Sequence, residues 1–187
     1  MGSTEIRIAG FGGQGVILAG MIIGRAASIY DGKYVTLTQS FGPEARGSAC
    51  SVQLIVSPEP ILYPYITSPD ILVVMSQEAY GCFASGLQPH GTLIYEEELV
   101  RPGHKAHTAT TFSIPATRLA EEVGRKLVLN VVIVGFTIAV TGIVSTEAAR
   151  KAIRDSVPPG TEPLNLAALE TGLDFGLSRV RNVCHVA

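Results

Sequence analysis

The sequence predicts an α/β fold: a single three-layer domain over residues 1–187, built around a mostly parallel sheet. Three observations carry this. Strand-like and helix-like segments alternate along the whole chain, with no internal repeat and no linker. A glycine cluster, Gly10-Phe11-Gly12-Gly13-Gln14-Gly15, separates a short β-rich run from a helical one, in a Rossmann-like arrangement. A compact apolar run, Asp70–Met75, follows Pro69 and has the unbroken hydrophobicity of a strand buried on both faces.

Taken in order, Glu5–Ala9 is the first strand. Val16–Ile29 carries apolar and small residues at helical spacing. Tyr34–Gln39 is β-branched and reads as the second strand, Ser51–Val56 as the third and Asp70–Met75 as the fourth. Glu78–Leu87 is a short helix. Thr92–Tyr95 and Ala109–Ile114 are two further strands, the last ended by Pro115. Ala116–Lys126 is amphipathic and Val128–Val140 is apolar all round, so both are helices, the second one buried. A helix to about Ser156 follows Ser145, with Thr146 as its N-cap. Pro158-Pro159-Gly160 breaks the chain, and Pro163–Gly172 forms a last helix before a loosely ordered tail beyond Phe175.

Composition narrows the function. Hydrophobic residues make up 47% of the chain and charged residues 16%. So few charges leave part of the surface to be covered by partner subunits. The net charge of −2, without a basic run, gives no phosphate-neutralising footprint, and 6% aromatics without tryptophan give no stacking platform, which excludes nucleic acid. Cys50, Cys82 and Cys184 are scattered, with no CxxC, which speaks against a zinc or iron–sulfur site and for a reducing cytoplasm. No basic region precedes a long apolar stretch at the start, so no secretory signal is expected. Leu127–Val144 is uncharged, but it holds Asn130, Thr137 and Thr141 and two glycines. A buried helix explains it better than membrane insertion.

The glycine loop supplies a tight turn and a helix N-terminus, a backbone cradle for an anion at Gly12, Gly13, Gln14 and Gly15. A dinucleotide site would also need an acidic residue at the end of the second strand. Tyr34–Gln39 contains none, so NAD is disfavoured while phosphate binding is retained. The second loop, Thr38-Gln39-Ser40-Phe41-Gly42-Pro43-Glu44-Ala45-Arg46-Gly47-Ser48, gathers hydroxyls, an acid, a base and glycines. Loops at the carboxyl ends of neighbouring strands meet at one crevice, so both loops are expected to face one ligand. Arg46 is placed to pair with a phosphate or carboxylate, and Ser40, Gly42 and Glu44 to arrange the loop.

The histidines at 104 and 107 read as solvated. Cys50 reads as a small buried residue near the second loop, and Ser76-Gln77-Glu78 as a helix cap rather than a ligand. Asn130, inside an apolar helix, needs a partner: a neighbouring loop or a cofactor. No nucleophile elbow or nucleophile–histidine pair is present.

The glycine loop with Val16, the second loop from Thr38 to Gly47, and Asn130-Val131-Val132-Ile133-Val134-Gly135 with Thr141–Ser145 together resemble the gamma subunit of 2-oxoglutarate and related 2-oxoacid:ferredoxin oxidoreductases. The resemblance runs from Ile6 to about Ile153. It implies a chain that is inactive alone and belongs to a complex that converts a 2-oxoacid and coenzyme A to acyl-CoA, CO2 and reduced ferredoxin. Thiamine diphosphate, Mg2+ and iron–sulfur clusters would then sit in partner subunits: thiamine-binding alpha and beta subunits and a ferredoxin-like subunit. The gamma chain would contribute to the coenzyme A site and the subunit interface. Members often carry a further base and acid after Arg-Gly-Gly, where this chain has Ser51 and Gln53. That departure points either to an uncommon or aromatic 2-oxoacid, as in an indolepyruvate oxidoreductase subunit, or to a changed subunit contact. A stand-alone nucleotide-binding module is the alternative of a different class.

Overall fold

The computed structural model describes residues 2–42, 49–103 and 109–184. Six strands form one sheet in the order β2-β3-β1-β4-β5-β6. They are β1 (Thr4–Phe11), β2 (Tyr34–Phe41), β3 (Ala49–Ser57), β4 (Ile71–Val74), β5 (Thr92–Glu96) and β6 (Thr110–Ile114). The strands β1, β4, β5 and β6 run parallel, while β3 lies antiparallel to both β1 and β2. The second strand therefore does not return to β1 but folds back as a hairpin, and only β3 breaks the parallel rule.

Side chains alternate across the sheet. Ile6, Ile8, Val52, Leu54, Ile71, Val73 and Ile94 face a thick helical layer of α1 (Val16–Arg25), α3 (Ala116–Val123), α4 (Leu129–Thr141), α5 (Thr146–Ser156) and α6 (Glu162–Cys184). The opposite layer is thin. Ala9, Leu72, Val74 and Leu93 meet Ala79, Tyr80 and Ala84 of the short α2 (Gln77–Phe83) and its one-turn extension.

Helix α4 is the hub, with Asn130 to Ile138 buried throughout. It crosses α6 so closely that a Cβ on Gly135 would fall on the backbone of Leu169, and one on Gly172 on the backbone of Val132. No helix among the described residues is long and apolar enough to cross a membrane.

Two expectations need correction. The last helix does not stop at Gly172 but continues to Cys184, so the tail is not loose there. Gly172 is a contact point rather than a terminator, and beyond it Leu173 is 3% exposed and Phe175 packs its ring 5.9 Å from that of Phe136. The cap of α5 is Ser145, not Thr146. Its Oγ accepts from the Ala148 N–H at 3.1 Å, while its own N–H and Oγ donate to the Asp31 carboxylate at 2.8 and 2.7 Å. The first helix extends through Ile29 as expected, α1 passing at Ala26 into a π turn to Tyr30.

Candidate functional site

Strand β1 delivers the glycine loop to the carboxyl edge of the sheet. Gly13 and Gly15 adopt φ of 99° and 73°, the left-handed region that glycine enters without a Cβ penalty. Gln14 closes the turn. Its Oε1 accepts from the Phe11 N–H at 2.6 Å and its Nε2 donates to the Met75 carbonyl at 2.8 Å, which ties the loop to the end of β4. Gly15 is the N-cap of α1 and has no side chain to cap that end, and among the described residues no other side chain does so. The first-turn N–H groups and the positive end of the helix dipole are thus left for an anion.

Asn130 answers the question that its burial raised. At 3% exposure its Nδ2 donates to the Gly15 carbonyl at 3.3 Å, and a Cβ on Gly15 would collide with its amide. The hub helix therefore grips the glycine loop from beneath.

The second loop begins at the same edge. Because β3 runs backwards, Phe41 pairs with Cys50 and Cys50 with Gly10, so the hairpin neck stands beside the glycine loop. The Gly42 N–H donates to the Ala49 carbonyl at 3.0 Å and closes that neck. Ser40 is exposed there. Glu44 and Arg46 lie outside the described residues.

Two hollows open along this edge. A small one of about 80 Å³ lies between Gly10, Ser40, Cys50 and Ser51 of the sheet and Cys82 and Phe83 of α2. A larger one of about 520 Å³ is lined by Gln14, Met75, Gln77 and Leu99. Phe11, Ser76 and Glu78 border both. Gly10 and Phe11 meet Ser40 at the small hollow, while Gln14 lines the larger one; residues 43–48 of the second loop lie outside the described residues. Ser76 has the capping role expected of it, accepting from the Ala79 N–H at 3.2 Å.

The described walls carry one acid, Glu78, and no lysine or arginine. Burial pushes the Cys50 thiol up from its ordinary value. Of the two departures after the second loop, Ser51 lines the small hollow, whereas Gln53 lies off both and accepts from the Ile66 N–H at 3.4 Å.

Sequence reasoning missed Phe11, the shared wall, and Glu96. Glu96 is fully buried at the end of β5. Its Oε2 accepts from the N–H groups of Glu98 and Leu99 at 2.8 and 2.7 Å, and its Oε1 from that of Thr117 at 3.2 Å. It thus holds the turn that carries Leu99 to the larger hollow and caps α3 from another element. Two further glutamates follow it, so nothing in the local sequence marks it as the buried one.

The fold belongs to a known class. The family model described as pyruvate ferredoxin/flavodoxin oxidoreductase matches residues 5–175. The chain belongs to that family. It is 51% identical over 177 residues to the 2-oxoglutarate synthase subunit KorC of Methanothermobacter thermautotrophicus, a match covering 91% of this chain and 94% of that one. The gamma subunit of a keto/oxoacid ferredoxin oxidoreductase from Geobacter sulfurreducens superposes with a TM-score of 0.81 at 38% identity, covering 94% of this chain and 99% of that one. The chain is accordingly a gamma-type oxidoreductase subunit. A third structure, 2-oxoglutarate:ferredoxin oxidoreductase from Magnetococcus marinus with 2-oxoglutarate, coenzyme A and succinyl-CoA bound, shares the fold. It has a TM-score of 0.81 at 20% identity, and the match covers 95% of this chain but 32% of that one.

Proposed function

We propose that this subunit serves a thiamine-diphosphate-dependent 2-oxoglutarate:ferredoxin oxidoreductase, and that the carboxyl edge of its sheet forms one wall of the coenzyme A site. The reaction is 2-oxoglutarate plus coenzyme A to succinyl-CoA, CO2, a proton and two electrons, the electrons passing to ferredoxin. Thiamine diphosphate, Mg2+ and the iron–sulfur clusters are assigned to thiamine-binding alpha and beta subunits and a ferredoxin-like subunit, in the cytoplasm.

The observation that carries the reading is the convergence of the glycine loop and the hairpin neck on one edge, beside an uncapped helix N-terminus. These residues suit an anionic ligand with a long flexible arm. The backbone of Gly12, Gly13 and Gly15 with the first turn of α1 would receive phosphate oxygens. Ser40 and the larger hollow would take the less charged arm. Gln14 and Asn130 would keep the cradle in shape rather than touch the ligand, since the side chains of both are engaged within the protein. Arg46 would add the positive charge that the described walls lack, with Gly42 and Glu44 arranging its loop. When bound, coenzyme A supplies the thiol that accepts the acyl group.

For the oxoacid, 51% identity to a 2-oxoglutarate synthase subunit favours 2-oxoglutarate over an aryl substrate. Gln53 lies away from both hollows, so that departure bears on the connection after β3 and not on the oxoacid.

The test is a native complex purified through a tag on this chain and assayed for coenzyme A-dependent reduction of ferredoxin with a panel of 2-oxoacids. Fastest turnover of 2-oxoglutarate is expected. Preference for indolepyruvate, or a tagged chain that purifies as a lone nucleotide-binding monomer, would overturn the reading. Arg46→Ala is expected to raise the KM for coenzyme A and leave that for 2-oxoglutarate alone. An unchanged KM removes Arg46 from the site.

A further inference from the structure

The small hollow holds two polar groups with no part in the glycine cradle. Ser51 lines it at 6% exposure, and its hydroxyl has no hydrogen-bond partner among the described residues. A buried hydroxyl in that state calls for a partner. The Cys82 thiol lines the same hollow from α2 and is open to solvent.

Strand alternation sorts the side chains here. Cys50 packs with Val52 and Leu54 into the thick helical layer, so Ser51, between them in sequence, faces the other way, toward α2. Ser40 stands opposite Ser51 across the strand pair and lines the hollow as well. Cys50 and Cys82 therefore lie on opposite faces of the sheet, and Cys82 cannot take Cys50 as its disulfide partner.

Size and charge limit what enters. At about 80 Å³ the hollow is roughly half the cavity that holds a benzene ring, which leaves room for a short chain of atoms and not for a ring. Its one charged wall is Glu78, a turn before Cys82 on the same helix face. Phe11, Ser76 and Glu78 also border the larger hollow, so a chain lying in the larger one can turn into the smaller. The ligand that fits is a thin uncharged chain with an amide for the serine hydroxyls and a sulfur at its tip, tethered to a charged part seated elsewhere. The arm of coenzyme A has that make-up.

We propose that Cys82 is a modification site that takes coenzyme A as a mixed disulfide, with the end of the arm in the small hollow and its last amide at the Ser51 hydroxyl. This rests on the reading of the edge as one wall of the coenzyme A site. The step is an exchange with coenzyme A disulfide, which is the oxidant. The Cys82 thiol loses its proton to solvent and the thiolate attacks one sulfur of the reagent. A bond forms between Cys82 and that sulfur, the sulfur–sulfur bond of the reagent breaks, and the second coenzyme A leaves as a thiolate that takes up a proton. Glu78 repels anionic disulfides from the thiol, and only a reagent whose phosphates are held at the glycine cradle offsets that repulsion. The oxidised form of the cofactor thus closes the site until a thiol reduces it.

The test treats the native complex with coenzyme A disulfide and, separately, with glutathione disulfide at equal concentration, and follows the mass of this chain and its peptides. Cys82 is expected to gain one coenzyme A, less two hydrogens, about 100-fold faster than it gains glutathione, because the cradle raises the local concentration of the first reagent alone. Ser51→Ala is expected to slow that transfer about 3- to 10-fold while leaving the rate with iodoacetamide unchanged, which a change at the thiol itself would not do. Treated wild-type complex should lose turnover and regain it with dithiothreitol, whereas the Cys82→Ser complex should keep its own untreated rate. Equal rates with the two disulfides, or coenzyme A attached to Cys50 or Cys184 in place of Cys82, overturn the proposal. Coenzyme A in its thiol form should also shield Cys82 from iodoacetamide. Shielding without selective transfer overturns the modification site and leaves the reading of the edge intact. Neither shielding nor selectivity overturns both.

Discussion

Removing the carboxylate of Glu96 tests how the crevice is held. In Glu96→Ala the Thr117 N–H, at a buried helix start, loses its acceptor and gains no water, at about 1–3 kcal/mol. The Glu98 and Leu99 N–H groups lie where solvent can replace the lost oxygen, so each costs about 0.5–1.5 kcal/mol. With the cavity left behind, the destabilisation is about 3–5 kcal/mol. For a chain of this length that lowers the thermal midpoint by roughly 6–20 °C. Glu96→Gln is the informative control. Its carbonyl oxygen can still serve Glu98 and Leu99 and no cavity is left, while its NH2 faces the Thr117 donor, so it should lose less than the alanine variant but still a measurable amount. Calorimetry measures both, and amide hydrogen exchange should show Thr117 losing protection in each variant but Leu99 only in the alanine one. Equal losses in Glu96→Ala and Glu96→Gln, or none in either, would refute the view that one buried carboxylate organises both the turn and the start of α3.

Other outcomes follow from single contacts. Gly15→Ala should cost about 1–2 kcal/mol for its left-handed backbone, plus a collision with Asn130; adding Asn130→Ala should relieve the second part only, which a denaturation cycle over the four proteins reads out. Cys82 is exposed and Cys50 buried with its thiol pushed up, so iodoacetamide at pH 8 should modify Cys82 before Cys50, as followed by mass spectrometry. The Tyr30 hydroxyl donates to Asp155, and that bond holds the phenol above its ordinary value. A raised value means a contribution to stability that is complete below pH 10 and lost as the phenol ionises above it. Ultraviolet titration should show the Tyr30 ionisation move to lower pH in Asp155→Asn.

Much of this was legible in the sequence, for identifiable reasons. Gly10–Gly15 needs both a strand before it and a helix after it, and both patterns are local. Asp70–Met75 advertises a doubly buried strand by composition alone. Asn130 announced itself because an amide in an apolar helix demands a partner, although the partner, the Gly15 carbonyl, is 115 residues away and visible only in three dimensions. The reversal of β3 was hidden because side-chain alternation records which face a residue takes and not the direction of the strand. Gly172 misled because a glycine that ends a helix and one that lets two helices touch look identical in sequence. Glu96 was hidden among its neighbours, since acids in a row read as solvated.

The reversed strand has a consequence for how such subunits diversify. Eight paired positions on each side of β3 act as a ruler that sets where the hairpin neck stands against Gly10 and Phe11. The segment beyond the neck enters and leaves at neighbouring points on that ruler, so its length and composition can change without moving any strand. One scaffold thereby carries a connection that can vary while the sheet beside it stays fixed.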